Sequence, residues 1–332
     1  MAKNLIEQVL KTVRNYGMLK AGDTVLVAVS GGPDSIFLLH ALVRLKNKLG
    51  LKKVAVCNMD HCLRGKDSEE DSLFVKREAG RLDLDFFYKK VNISASKPKG
   101  LSTEEAGRDA RYAFFVEAAR DAGANVIATG HTIDDQAETV LMRIIKGASL
   151  KGMAGIAPVR EEKGFRIIRP LAELDKEEIV GYLDESNARY RIDGSNLEDK
   201  YFRNVVRREV VPFLERYNPR LKRSLFNLAE HLREDFEFIK LEKSRLGHKI
   251  ASAKSGLVEI SLKDIVMQPA AIQKEVLRDS LEMAGGEVKK LSFRHWKEVE
   301  NLLKSKGKGR SVDLPGSIRA TRTAKSLIFK KI

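Results

Sequence analysis

Two periodicities alternate along the first half of the chain. Residues 4–16 set Leu5, Ile6, Val9, Leu10 and Val13 at helical spacing. After the turn Lys20-Ala21-Gly22, Val25-Leu26-Val27-Ala28-Val29 is an unbroken run of small or β-branched apolar residues, the pattern of a central strand covered on both faces. Ile36 to Leu42 then reads as a helix packed back on it. Residues 53–60 predict a second strand, parallel to the first by the handedness of βαβ units. The alternation continues with a helix over 68–82, a strand at 85–91, a helix capped at Ser102 or Thr103, a strand at 125–131, a helix from Asp134, a strand at 165–171 and a helix over 176–187. Such an order predicts the α/β class, a doubly wound and mainly parallel sheet.

From residue 218 the pattern changes. Leu221, Leu225, Leu228, Leu232, Phe236 and Ile239 mark a long amphipathic helix, further helices are expected at 269–284 and 292–305, and Pro315-Gly316 before Ser326-Leu327-Ile328-Phe329 predicts a terminal hairpin. The expected division is therefore a nucleotide-binding domain, residues 1–215, and a linking helix with a smaller, mainly helical domain, residues 216–332.

The first strand and its helix are joined by Ser30-Gly31-Gly32-Pro33-Asp34-Ser35. Two glycines let the backbone approach a ligand, and the helix N-terminus favours an anion. Ser30 and Ser35 add hydroxyls, and Asp34 could hold magnesium against phosphates. Neither G-x-x-x-x-G-K-[ST] nor G-x-G-x-x-G occurs there. Ligands in open α/β sheets bind beyond the carboxyl ends of the strands, so the loop Asp60-His61-Cys62-Leu63-Arg64-Gly65 and the turn Gly130-His131 fall at the same crevice. Asp134, Asp135 and Glu138 crowd the start of the next helix, and the last two share a face suited to an ammonium or a metal, or simply to the helix dipole. Arg108, Arg111 and Tyr112 lie within about one turn of one another, and Arg203 and Arg207 are four apart. Either set could bind phosphate or face water.

Charge narrows the partner. The 332 residues carry 61 Lys and Arg against 46 Asp and Glu, a formal +15, which points to a polyanion, with nucleic acid the commonest. Residues 287–332 hold 13 basic against 4 acidic residues, or +9, including Lys306, Lys308 and Arg310. No run is long and apolar enough to span a bilayer, and residues 1–7 lack the apolar core of a signal peptide, so a cytoplasmic protein with no membrane partner is expected. The two cysteines, Cys57 and Cys62, have four residues between them, which encodes neither a disulfide framework nor a C-x-x-C site.

The hexapeptide SGGPDS after a hydrophobic strand resembles the PP-loop of the N-type ATP pyrophosphatases. With His61-x-x-Arg64-Gly65, Arg111-Tyr112-Ala113-Phe114, the run from Gly130 to Thr139, Arg169-Pro170-Leu171, Ser195-Asn196 and Arg203-Asn204-x-x-Arg207, the order resembles the tRNA(Ile)-lysidine synthetase family over nearly all of residues 20–215. The resemblance implies an adenine nucleotide alpha hydrolase-like fold and a ligase that forms a C–N bond. Such an enzyme uses ATP to adenylate the C2 oxygen of the wobble cytidine of a CAU-anticodon isoleucine tRNA, after which the ε-amino group of free L-lysine displaces AMP.

By the same resemblance, Ser30, Gly31, Gly32, Pro33, Asp34 and Ser35 hold ATP, with Mg2+ at Asp34. Asp34, Arg111, Asp135 and Glu138 are the catalytic set, the last three placing lysine. His61, Arg64 and His131 lie near nucleotide or cytidine, and Arg203, Arg207, Lys306, Lys308 and Arg310 hold tRNA. Thr132 and Ile133 depart from the family, where a second histidine and a small residue are often seen. Two other readings stand beside this one: a tRNA thiolase of the same superfamily, for which the cysteine spacing is wrong, and a nucleotide-sensing RNA-binding protein without turnover. Oligomeric state, a homodimer included, is left open.

Overall fold

The computed structural model describes residues 2–60, 66–92, 103–191, 202–246, 251–254, 257–305, 307 and 309–332. The chain divides into two compact units, Met1–Leu232 and Arg233–Ile332. The first unit runs α1 (Ala2–Asn15), β1 (Thr24–Ala28), α2 (Pro33–Leu45), β2 (Lys53–Asp60), α3 (Lys66–Arg81), β3 (Phe86–Lys90), α4 (Thr103–Asp121), β4 (Val126–Ala128), α5 (Ile133–Ile145), α6 (Leu150–Met153), β5 (Val159–Glu162), β6 (Phe165–Ile168) and α7 (Lys176–Glu185). A helical stretch follows, α8 (Phe202–Val205) and α9 (Val211–Glu215), joined by a π-helical turn over Val206–Val210. The long helix α10 (Leu221–Leu246) comes next, and the units part within it. The boundary expected from sequence, 215/216, falls in the turn that precedes it.

The sheet order is β3-β2-β1-β4-β6-β5, parallel throughout except for β5, which pairs antiparallel with β6 at the edge. Strand alternation divides the core into two layers. Val25, Val27, Val54, Val56, Val126 and Ile168 face α1, α2, α3 and α7, meeting Val9, Phe37, Leu38, Val75 and Leu183. Leu26, Ala55, Cys57, Ile127 and Ile167 point the other way, onto Phe114, Phe115, Ala118 and Ala119 of α4. Double coverage explains why the stretches Val25–Ala28, Val54–Cys57 and Val126–Ala128 are apolar without interruption. The chain order reverses between β1 and β4, and there the turns after the two strands open side by side.

The second unit contains the expected helices as α12 (Ala270–Met283) and α13 (Phe293–Lys304), with the short α11 (Leu262–Val266) before them. The terminal hairpin forms from β10 (Ile318–Arg322) and β11 (Ser326–Lys331). It belongs to a five-stranded antiparallel sheet, β7-β8-β11-β10-β9, completed by β7 (Ala251–Lys254), β8 (Leu257–Ser261) and β9 (Ser311–Leu314). Val258, Ile260, Leu327 and Phe329 pack with Leu277, Leu281 and Leu302 in its core.

One tight contact fixes the loop beneath α5. The buried Gln136 accepts a hydrogen bond from the Ile156 amide at 2.6 Å, and Gly155 passes against it at φ +66°. A methyl group at Gly155 would stand 2.5 Å from Gln136 Nε2. Gly155→Ala therefore combines left-handed strain with overpacking, and urea unfolding is expected to show a loss of about 2 kcal/mol.

Candidate active site

The turn after β1 is built as the sequence suggests. Gly31 adopts φ +94°, Gly32 caps α2 and Pro33 occupies its first turn. Ser35 is buried; its Oγ donates to the Gly32 carbonyl at 2.9 Å, accepts from the Ser30 amide at 3.1 Å and lies 3.3 Å from Ser30 Oγ. Those bonds hold the loop around the helix N-terminus, leaving an anion-binding concavity of backbone amides. The turn after β4 supports it from the side. At Gly130 a Cβ would stand 3.2 Å from the Asp34 carbonyl carbon and 3.3 Å from the Ser35 nitrogen, so the two turns touch through backbone.

Carboxylates gather along this contact. Asp34 projects from the first turn of α2, and burial pushes its acid up to about 6, with Lys176 opposing. Lys176 Nζ lies 3.7 Å from Asp34 Oδ2 and 3.3 Å from Asp135 Oδ1, so one ammonium bridges the two helix starts. Asp135 Oδ2 accepts from the Thr132 amide at 2.9 Å and its hydroxyl at 3.1 Å. Burial opposes ionisation of Asp135, but Lys176 and Arg203 hold it well below the usual carboxylate range. Thr132, the departure from the family, thus supports Asp135 directly.

Glu138 sits one turn along α5 and is 2% exposed. Arg203 Nε donates to it at 2.7 Å and Arg207 Nε at 2.5 Å, while Arg203 also reaches Asp135 Oδ1 at 2.9 Å. Both arginines, expected on tRNA phosphates, turn their guanidinium groups onto the acid pair. The π-helical turn lies within this segment and contains Arg207. Asp134 faces another way, accepting from the Lys176 amide at 2.9 Å and pairing with Lys222 at 2.8 Å, and so ties α5 to α7 and α10.

His131 Nδ1 lies 3.0 Å from Thr129 Oγ1. Burial pushes the imidazole down to about 3, helped by Arg169, so it is neutral at physiological pH. Arg111 is exposed on α4; the described cations paired with Asp135 and Glu138 are Lys176, Arg203 and Arg207. Arg310 is exposed in the second unit. His61, Arg64, Lys306 and Lys308 lie outside the described residues, as do Cys62, Ser195 and Asn196. Sequence reasoning missed Lys176. It follows the helix cap Asp175 with no motif of its own, and only the packing of α7 on α2 brings it between the acids.

Because Glu138 accepts the closest bonds of two guanidinium groups, Glu138→Ala should cost about 2 kcal/mol in chemical unfolding, a figure below that for a fully buried pair because the arginines are partly exposed. Adding Arg207→Ala should recover part of the loss, which a double-mutant cycle would measure.

The PP-loop domain family matches residues 1–214. Among curated proteins, the chain is 36% identical over 329 residues to the tRNA(Ile)-lysidine synthase of Caldanaerobacter subterraneus subsp. tengcongensis, covering 98% of this chain and 69% of that one. It is 33% identical over 328 residues to the enzyme of that name from Clostridioides difficile, covering 98% and 70%. The counterpart from Geobacter sulfurreducens is 36% identical over 333 residues, again covering 98% and 70%. Among solved structures, the U34-tRNA thiolase NcsA from Methanococcus maripaludis with its [4Fe-4S] cluster aligns with a TM-score of 0.59 at 18% identity, covering 70% of this chain and 80% of that one, a likeness of fold. With a PP-loop domain over residues 1–214 and an alignment to these relatives over 98% of its own length and about seven tenths of theirs, the chain belongs to the tRNA(Ile)-lysidine synthase family of PP-loop proteins.

Proposed function

We propose that the chain converts the wobble cytidine of a CAU-anticodon isoleucine tRNA to lysidine, using ATP and free L-lysine. The observation that supports this best is the meeting, in one crevice, of an anion-binding turn at Ser30–Ser35 and the carboxylate pair Asp135 and Glu138. The turn suits the phosphates of ATP; the pair suits a primary ammonium. The chemistry needs both. The cytidine C2 oxygen attacks the α-phosphorus and pyrophosphate leaves; the lysine ε-nitrogen, after losing a proton, attacks C2, and the C2–O bond breaks to release AMP.

The chain's own residues have distinct tasks in this reading. Ser30, Ser35 and the amides of the loop hold phosphate oxygens. Asp135 and Glu138 receive the lysine ammonium, displacing Arg203 and Arg207, so entry of the substrate exchanges one charge-assisted pair for another. The freed guanidinium groups then become available to the tRNA, and Lys306, Lys308 and Arg310 would add phosphate contacts. His131, being neutral, can hydrogen-bond the base without repelling the nearby arginines.

Magnesium fits Asp34. Its Oδ1 is buried without a partner. No group of three or more His, Cys, Asp or Glu side chains able to hold a metal occurs among the described residues, which suits an ion held by one carboxylate and the phosphates. Bound there it would neutralise charge on the triphosphate. Sulfur transfer finds less support. Cys57 is buried inside the sheet, and burial pushes its thiol far above the usual range, leaving it unreactive. Among the described residues no helix is long and apolar enough to cross a membrane.

The test is ATP-dependent transfer of labelled lysine to unmodified CAU-anticodon isoleucine tRNA, with the methionine tRNA of the same anticodon as control. Incorporation at the wobble cytidine is expected; AMP release only with a sulfur donor would reject the lysine assignment. Asp135→Asn keeps the cap on Thr132 but loses the charge, and should raise the KM for lysine about tenfold or more, as loss of a charged hydrogen bond implies.

The raised acid of Asp34 also fixes a pH dependence. Its folded value, about 6, exceeds that of a free aspartate, so protonation persists to higher pH than usual. The carboxylate is mostly ionised at pH 7 and neutral well below 6. Magnesium-ATP affinity should therefore fall by up to about tenfold per pH unit below 6, and Asp34→Asn should flatten that profile in titration calorimetry.

A further inference from the structure

Close enough to His131 to influence its charge lies a group of arginines with a different character. Arg169 follows β6 and is only 2% exposed, yet its Nε has no hydrogen-bond partner. Its Nη1 donates to the Ala157 carbonyl, which fixes the side chain without neutralising it. Tyr112 of α4 sits against this guanidinium, and two more arginines stack on the same ring, Arg160 with its Cζ 4.5 Å from the centroid and Arg108 at 5.1 Å. The Nε of Arg160 is likewise buried and unpartnered. Arg143 lies at the edge, donating to the Gly152 and Gly155 carbonyls.

Among the described residues, positive charge here exceeds the counter-charge paired with it. Arg160 pairs with Glu162 at 3.1 Å, whereas the partner of the buried Arg169 Nη1 is a neutral carbonyl. Burial pushes Arg169 down to about 10, so it stays charged at neutral pH. Burial alone would raise the phenol of Tyr112, but Arg169, Arg108 and Arg160 together hold it below its ordinary value, the mark of a strongly positive local field. A buried guanidinium with an unused donor is costly unless an anion completes it.

The geometry points to a phosphate-binding site formed by Arg169, Arg160, Arg108 and Tyr112, which takes a phosphodiester of the RNA strand beside the nucleoside being modified. The site deepens the tRNA-modifying function proposed above and rests on it. Position favours the RNA over ATP. The charges acting on Asp34 at the PP-loop are Lys176, Asp134, Asp135 and Arg207, whereas those acting on His131 include Arg169 and Arg108. The cluster's charge is therefore felt at the histidine, whereas other groups dominate at the triphosphate turn. Planar guanidinium forks suit two oxygens of one phosphate.

The experiment uses the full-length protein and a CAU anticodon stem-loop RNA. Arg160→Gln and Arg108→Gln are each expected to weaken RNA binding about tenfold and to lower the slope of log K against log salt by about one. ATP affinity should be unchanged, and Arg14→Gln, which removes an exposed charge on α1, should leave RNA binding within about twofold. Methylphosphonate substitution, scanned through the loop, should weaken wild-type binding at one linkage and leave the Arg160→Gln variant unaffected there. A fall in ATP affinity with RNA binding intact would assign the cluster to the nucleotide and overturn the proposal. So would unchanged binding of both, or methylphosphonate effects that add to Arg160→Gln at every linkage. These readouts need no lysine transfer, so a wild-type protein that binds as expected but incorporates no lysine would overturn the reaction and leave the phosphate site standing.

Discussion

Like charges crowded beyond the carboxyl ends of the central strands β1 and β4 are the constraint on which the first unit depends. Asp34, Asp134 and Asp135 emerge from the first turns of two adjacent helices, with Glu138 one turn further along the second, next to a loop suited to an anion. Helix dipoles favour each acid separately, but together they repel, and burial adds a desolvation cost. The later chain supplies the cations: Lys176 from α7, Arg203 and Arg207 from the α8 segment, Lys222 from α10. These elements are apolar enough to pack, since Val206, Val211, Leu225 and Ala229 join Ala137, Val140 and Leu141 in one cluster. Their register, however, is fixed by charge.

Opposite charges acting on His131 are the second consequence. His131 feels both Asp135 and the Tyr112 arginines, and its imidazole stays neutral because burial and the arginines both oppose its protonation. A crevice that offers both charges can hold an ammonium and phosphates simultaneously. That is the requirement of a reaction in which an amine must reach an adenylated base.

The parallel sheet was legible because its central strands carry unbroken apolar runs and its helices follow at regular intervals; the turn Ser30–Ser35 announced itself through Gly-Gly-Pro at a helix start. Edge strands were harder. Val159–Glu162 reads Val-Arg-Glu-Glu and becomes β5 only by pairing with β6, and β7 is a strand because β8, itself paired with β11, offers it a partner. Asp135 and Glu138 were visible as a shared helix face, whereas the cations that hold them were not, being separated from them by about forty to seventy residues and marked by no spacing rule. Arg203 and Arg207 showed the helical interval but not the direction in which they point.

Sequence by itself therefore determined the alternation of strand and helix, the glycine turn that opens α2 and the placement of two carboxylates on one face, since these depend on local backbone preferences and short-range periodicity. Tertiary structure alone decided which cations meet those carboxylates, that Lys176 bridges Asp34 to Asp135, and that Arg169 is buried against Tyr112. Long side chains from distant segments are set by packing of whole elements, and a linear pattern contains no record of which of 61 basic residues that packing brings to an acid and which it leaves facing water.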